Sequence, residues 1–228
     1  MGITIHYRGR LDHPERIVDL TKECADFCGI LHWPCDTFDD CWETAPWARL
    51  DRTGSGLEIA GNLGLKGILF KPHENSESVS LCCDARGFLY SPAVKAFQLE
   101  EGAPEETPQW ISVKTQFAPP STHIAIVKLL RHIKNRYVGD LEVNDEGGYY
   151  ETGNADQLAS GMERLRRLMD ALEARLRGME KISGEGLTDE EHLQRVERAI
   201  IAAAKNVAMT DREPPRGKDR QSPDSEDA

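Results

Sequence analysis

Residues 110–145 read WISVKTQFAPPSTHIAIVKLLRHIKNRYVGDLEVND, and their periodicity decides the fold. Ile111, Val113, Thr115 and Phe117 alternate with Ser112, Lys114 and Gln116, the period of a half-buried strand. The period then changes. Ile126, Leu129, Leu130, Ile133 and Tyr137 recur at helical spacing, so an amphipathic helix follows Pro119 and Pro120. Ser121 or Thr122 is the expected cap. Leu141 and Val143 then alternate with Glu142 and Asn144 as a second strand.

The amino terminus repeats this order. Ile3, Ile5 and Tyr7 alternate with Thr4, His6 and Arg8. DHPERIVDLTKECADFCGIL then sets Ile17, Leu20, Cys24, Phe27, Cys28 and Leu31 on one helical face, and a short strand is expected over Cys35–Phe38. A strand–helix–strand order predicts parallel pairing with right-handed crossovers. Between the two units, LKGILFKP and SVSLCCD predict a hairpin. TGSGLEIAGNLG reads as a glycine-rich loop, and residues 91–109, with Pro92, Pro104 and Pro108, as an exposed connection.

The expected class is α+β: a mixed β-sheet with two crossover helices on one face, followed by a C-terminal antiparallel helical hairpin. The sheet domain is expected over 1–153, the hairpin over 154–210 and a disordered tail over 211–228. Leu158, Met162, Leu165, Met169, Leu172, Leu176 and Met179 are spaced by fours and threes, a coiled-coil heptad. Thr188 and Glu191 form a capping box for the second helix of the hairpin.

Composition restricts the partners. The 228 residues include 28 Lys+Arg against 39 Asp+Glu, a formal net charge of −11. Such a chain lacks the broad positive field that holds a phosphate backbone, so nucleic acid is disfavoured. No run reaches the length of a membrane span, and no leader is visible at the start. A soluble, cytoplasmic protein is expected, with its six cysteines as reduced thiols.

No motif carries a specific chemistry. In GDLEVNDEGGYYETGN, Asp140, Glu142, Asn144, Glu146 and Glu151 fall at positions 1, 3, 5, 7 and 12 of a calcium-loop window. Asp145 then stands at position 6, where that loop needs glycine. The alternation favours a strand, a tight turn and the start of another strand. The spacing of Cys24, Cys28, Cys35 and Cys41 matches no common metal pattern. No metal and no cofactor is expected.

Two functions remain. The first is an interaction or accessory protein, docking a protein partner or a second copy through Leu158, Met162, Leu165, Met169, Leu172 and Leu176. The second is a small enzyme acting on an anionic or phosphorylated substrate at the polar sheet face. Alternation places His6, Arg8, Lys114 and Glu142 there, and His123 at the helix start is grouped with them. Metal-dependent hydrolysis through Asp140, Glu142, Asp145 and Glu146 is a further option.

Overall fold

The computed structural model describes residues 2–53, 56–102, 110–180 and positions 194, 197, 198 and 200–202. The chain is α+β, as the two periodicities predict. Strand β1 (Thr4–Arg8) is central in a sheet whose order differs from the expectation. The strands now called β8 (Ile111–Lys114) and β9 (Glu142–Asp145) flank it, and both pair with it antiparallel. The long helix of that unit, α3 (Pro120–Arg136), crosses from β8 to β9. Those two strands run the same way, but β1 occupies the slot between them. No pairing among the described strands is parallel. The expected mixed sheet is therefore replaced by antiparallel ones.

The first helix, α1 (Ile17–Leu31), does not cross over within that sheet. It leads to β2 (Cys35–Asp39), the edge of a second sheet. The order there is β2-β5-β6-β7, with β5 at Lys66–Phe70, β6 at Val79–Cys83 and β7 at Leu89–Tyr90. The predicted hairpin is the β5–β6 pair. Helix α1 packs on β5, β6 and β2 and buries Ile17, Leu20, Cys24 and Cys28. Phe27 and Leu31, expected on the same face, are 40% and 46% exposed.

The two sheets are tied through β1. The Tyr7 hydroxyl donates to the Ser80 carbonyl at 2.7 Å and accepts from the Ser80 amide at 3.0 Å. Burial pushes its ionisation far above the ordinary phenol range. Just past β1, the Leu89 amide donates to the Gly9 carbonyl at 3.0 Å, and the Leu11 amide to the Gly87 carbonyl at 2.9 Å.

Two segments between these units were expected without regular structure. The glycine-rich run forms a hairpin of β3 (Trp47–Thr53) and β4 (Gly56–Asn62). Its glycines had suggested a loop, yet Gly61 is there for close approach. A Cβ at Gly61 would lie 2.2 Å from the Trp47 carbonyl oxygen. The proline-rich connection contains helix α2 (Pro92–Glu100), with Pro92 in its first turn, where a missing N–H costs nothing. Ala96 and Lys95 are buried, and the Lys95 ammonium lies 4.7 Å from the Tyr90 ring centre. Residues 103–109 lie outside the described residues.

Helix ends also differ in detail. Neither Ser121 nor Thr122 caps α3. Pro119 stands at the cap position with no side-chain bond, and Pro120 removes one of the amides that would need a partner. Helix α1 ends at His32, the one non-glycine among the described residues with positive φ, at 55°. That turn brings the Trp33 amide to the Cys28 carbonyl at 2.9 Å. The left-handed conformation costs a side chain about 1–2 kcal/mol, and glycine's greater unfolded-state freedom offsets part of that. We expect His32→Gly to stabilise the protein by about 0.5–1 kcal/mol. A urea midpoint unchanged or lowered by the substitution would refute this.

After β9 comes a turn and a four-residue helix, α4 (Tyr149–Thr152), where a further strand was expected. The physical reason is Asp145, whose carboxylate accepts from the Gly147 amide at 2.7 Å and the Tyr150 amide at 2.8 Å. These bonds curl the chain into a helical turn. Asn154 then caps helix α5 (Ala155–Glu180) by accepting from the Gln157 amide at 3.0 Å. Leu158 and Met162 of α5 are buried.

The chain divides into two compact units, 1–163 and 164–228. The second helix of the hairpin, its Thr188–Glu191 box and the 211–228 tail lie largely or wholly outside the described residues. Among the described residues no helix is long and apolar enough to cross a membrane.

Candidate functional site

The strand register shows where the polar residues go. Across β1, Thr4 faces Lys114, His6 faces both Ser112 and Asn144, and Arg8 faces Glu142. His6, Arg8, Lys114 and Glu142 therefore share one face of the sheet. Arg8 and Glu142 form a two-pronged pair, 3.2 Å from Nε to Oε1 and 2.8 Å from Nη2 to Oε2. The guanidinium also lies 4.6 Å from the Trp110 ring centre. His6 Nδ1 is 2.8 Å from Ser112 Oγ, and its Nε2 is 3.6 Å from Glu146. Glu142, Lys114, Ser112 and Asn144 are exposed. An exposed ion pair of this kind is worth about 0–1 kcal/mol. The face is a solvated surface on which the strongest cation already has a carboxylate partner.

His123 does not join that face. It is fully buried on the other side of the sheet. Its Nδ1 lies 2.8 Å from the Thr115 hydroxyl, which also donates to the Ile3 carbonyl at 3.2 Å. Its Nε2 lies 3.0 Å from Asp145 Oδ1, at an angle that makes no aligned hydrogen bond. Asp145 sits opposite Ile5 in the register and is equally enclosed. Burial raises its pKa, but contact with His123 and the amides of Tyr150 and Gly147 outweigh that. The carboxyl is held below its ordinary range. This is a structural cluster that ties α3 to both outer strands. Thr115 and Asp145 are its signals in the sequence, because each puts a polar group at a core-facing strand position.

The remaining acids of the 139–154 loop serve separate partners. Asp140 accepts from the Arg10 amide at 2.9 Å, and Glu146 from the Thr4 amide at 3.0 Å. With Glu142 on Arg8 and Asp145 in the core, the four carboxylates proposed for metal-dependent hydrolysis are directed to different places. The cysteines are all free thiols. Burial pushes Cys24, Cys28, Cys82 and Cys83 up to about 12, whereas Cys35 and Cys41 are exposed.

A further cluster lies where α1 runs beside α3. The Glu23 carboxylate is 2.7 Å from His132 Nε2, accepts from the Tyr137 hydroxyl at 2.5 Å and lies 3.2 Å from Arg136 Nε. The Tyr137 bond, then the His132 and Arg136 contacts, hold Glu23 below the usual carboxylate range. Beside it opens a cleft of about 250 Å³. Phe27, Leu31, Trp33 and Leu129 line it, with Lys128 and His132 as its polar residues. Sequence reasoning missed this cluster because Glu23 and His132 are 109 residues apart on two different helices. The partial exposure of Phe27 and Leu31 is its structural mark.

On α5 the heptad positions divide. Leu158 and Met162 are buried at 1% and 5%, Leu165 and Leu172 are half-buried, and Met169 is 41% exposed. Leu176 lies in the same helix. Ile200 and Ile201 are each 48% exposed. Ion pairs run along the polar side, Arg166 to Asp170 at 3.6 Å and Arg177 to Glu173 at 2.5 Å. No protein-family model, curated protein or solved structure matches the chain.

Proposed function

We propose that the chain is an interaction protein that self-associates through its C-terminal helices. One observation supports this reading above others: Met169, Ile200 and Ile201 keep 41–48% of their surface in water. The heptad that begins with the core residues Leu158 and Met162 thus reaches an apolar position open to solvent at Met169. Apolar side chains at fours and threes suit the flank of another helix. Charges of both signs beside them, paired at i,i+4, let one copy meet another without like-charge repulsion.

Light scattering tests this. The full chain is expected to weigh more than a monomer at high micromolar concentration. Met169→Glu together with Leu172→Glu is expected to weaken the association by at least about tenfold, or 1.4 kcal/mol. A monomeric mass at every concentration would refute self-association.

An enzyme at the polar sheet face has less support. His6, Arg8, Lys114 and Glu142 do share that face, but Arg8 is engaged by Glu142 and the surface is open to water.

A further inference from the structure

We propose that the cleft between α1 and α3 binds a small aromatic carboxylate. Its walls are Phe27, Leu31, Trp33 and Leu129, and its polar side chains are Lys128 and His132. An apolar, aromatic lining with a few convergent polar groups is the usual make-up of a small-molecule site. The volume of about 250 Å³ is just under the range for drug-sized ligands. A cavity of about 150 Å³ takes a benzene ring. One ring with a short acid chain is therefore the size that fits.

Charge selects the acid. Lys128 and His132 are four residues apart on α3, so they stand on the same side of that helix, one turn from each other. Lys128 is the cation, and the His132 ring gives its Nε2 hydrogen to Glu23. The Glu23 carboxylate faces His132, Tyr137 and Arg136, so its charge is already met by three groups. A cationic ligand would meet the Lys128 ammonium, and a sugar-like ligand would leave its hydroxyls against apolar walls. A carboxylate places its charge on Lys128 and its ring against the aromatic side.

Two of the aromatic walls have ring partners of their own. Trp33 stacks on Phe70 at 5.7 Å with the rings 6° from parallel, and the His32 turn holds it there. Phe27 meets the His132 ring edge-on at 6.3 Å. Glu23 fixes that imidazole by accepting from its Nε2. Pre-set geometry lowers the ordering cost of binding.

The test uses the full chain with 3-phenylpropionate, and 3-phenylpropan-1-ol as the neutral counterpart. Titration followed by two-dimensional NMR reads the Trp33 indole N–H directly, assigned by Trp33→Phe. The acid is expected to shift that signal saturably at or below about 1 mM. The alcohol, and the acid on Lys128→Gln, are each expected to bind about tenfold more weakly. Ala125→Trp, which fills the cleft, is expected to abolish binding with the circular dichroism of the native chain retained. No saturable shift of Trp33 in the wild-type chain overturns the site whatever the variants do. Equal affinity for acid and alcohol overturns the ligand class. Tight binding only of an apolar helical peptide at this signal assigns the cleft to a protein partner and overturns the proposal as well.

Discussion

Asp145→Ala is expected to lower the unfolding free energy by about 3–5 kcal/mol. The carboxylate has no exposed surface, and neither has its partner His123. Removing it strips the amides of Gly147 and Tyr150 of their acceptor. It also leaves His123 Nε2 facing an empty space in the core. Asp145→Asn keeps the shape and one acceptor, so its loss should be smaller. Urea unfolding at neutral pH gives the comparison, and a loss under about 1 kcal/mol for alanine would refute the role.

The pH dependence has a definite sign. The native carboxyl is held below its ordinary value, so folding favours the charged form. Its stabilisation is full above the unfolded value of about 3.9 and is lost as pH falls through the lower native value. The gap between wild type and Asp145→Ala should therefore narrow in acid.

Gly67→Ala is the second large effect, expected to cost about 3 kcal/mol or more. Gly67 lies in β5, an interior strand, opposite Cys82 of β6. Its φ is +140°, and a Cβ would stand 2.2 Å from the Leu81 carbonyl oxygen and 2.6 Å from Cys82 Cα. Those are backbone atoms, so no side chain can rotate to make room. The β5–β6 pair must separate or the strand must change its conformation. A variant with wild-type thermal stability would show that the strands can yield without loss.

How far the fold can be read from the sequence depends on which force sets each feature. Ile3, Ile5, Tyr7, Ile111 and Val113 announce their strands because burial alternates with the pleat. Alternation fixes the face of a residue and not its neighbour, so it cannot tell that Val113 and Asp145 lie on either side of Ile5. The parallel expectation failed for that reason. Helix α2 escaped notice because its start carries Pro92, which favours a first turn as much as it breaks a strand. The β3–β4 hairpin escaped notice because Gly61, needed where two backbones touch, looks the same in sequence as a flexible glycine.

The candidate groups divide in the same way. His6, Arg8, Lys114 and Glu142 were legible as one polar surface because a strand has only two faces. His123 was grouped with them by its place near a helix start, and burial puts it elsewhere. The Glu23–His132 contact depends on how two helices lie side by side, and no periodicity within either helix encodes that.

The central position of β1 also means that both of its neighbours are synthesised long after it. His6 and Ser112, hydrogen-bonded in the finished sheet, are separated by 106 residues. At about 5–20 residues per second, the first strand waits roughly 5–20 s for its first partner. During that interval Ile3, Ile5 and Tyr7 have no sheet to enter, and both edges of the strand are open to chance pairing. The second sheet, whose strands all lie before residue 91, is translated whole in the meantime. The Ser80 backbone that Tyr7 holds in the finished fold is therefore synthesised before either of the strands that flank β1.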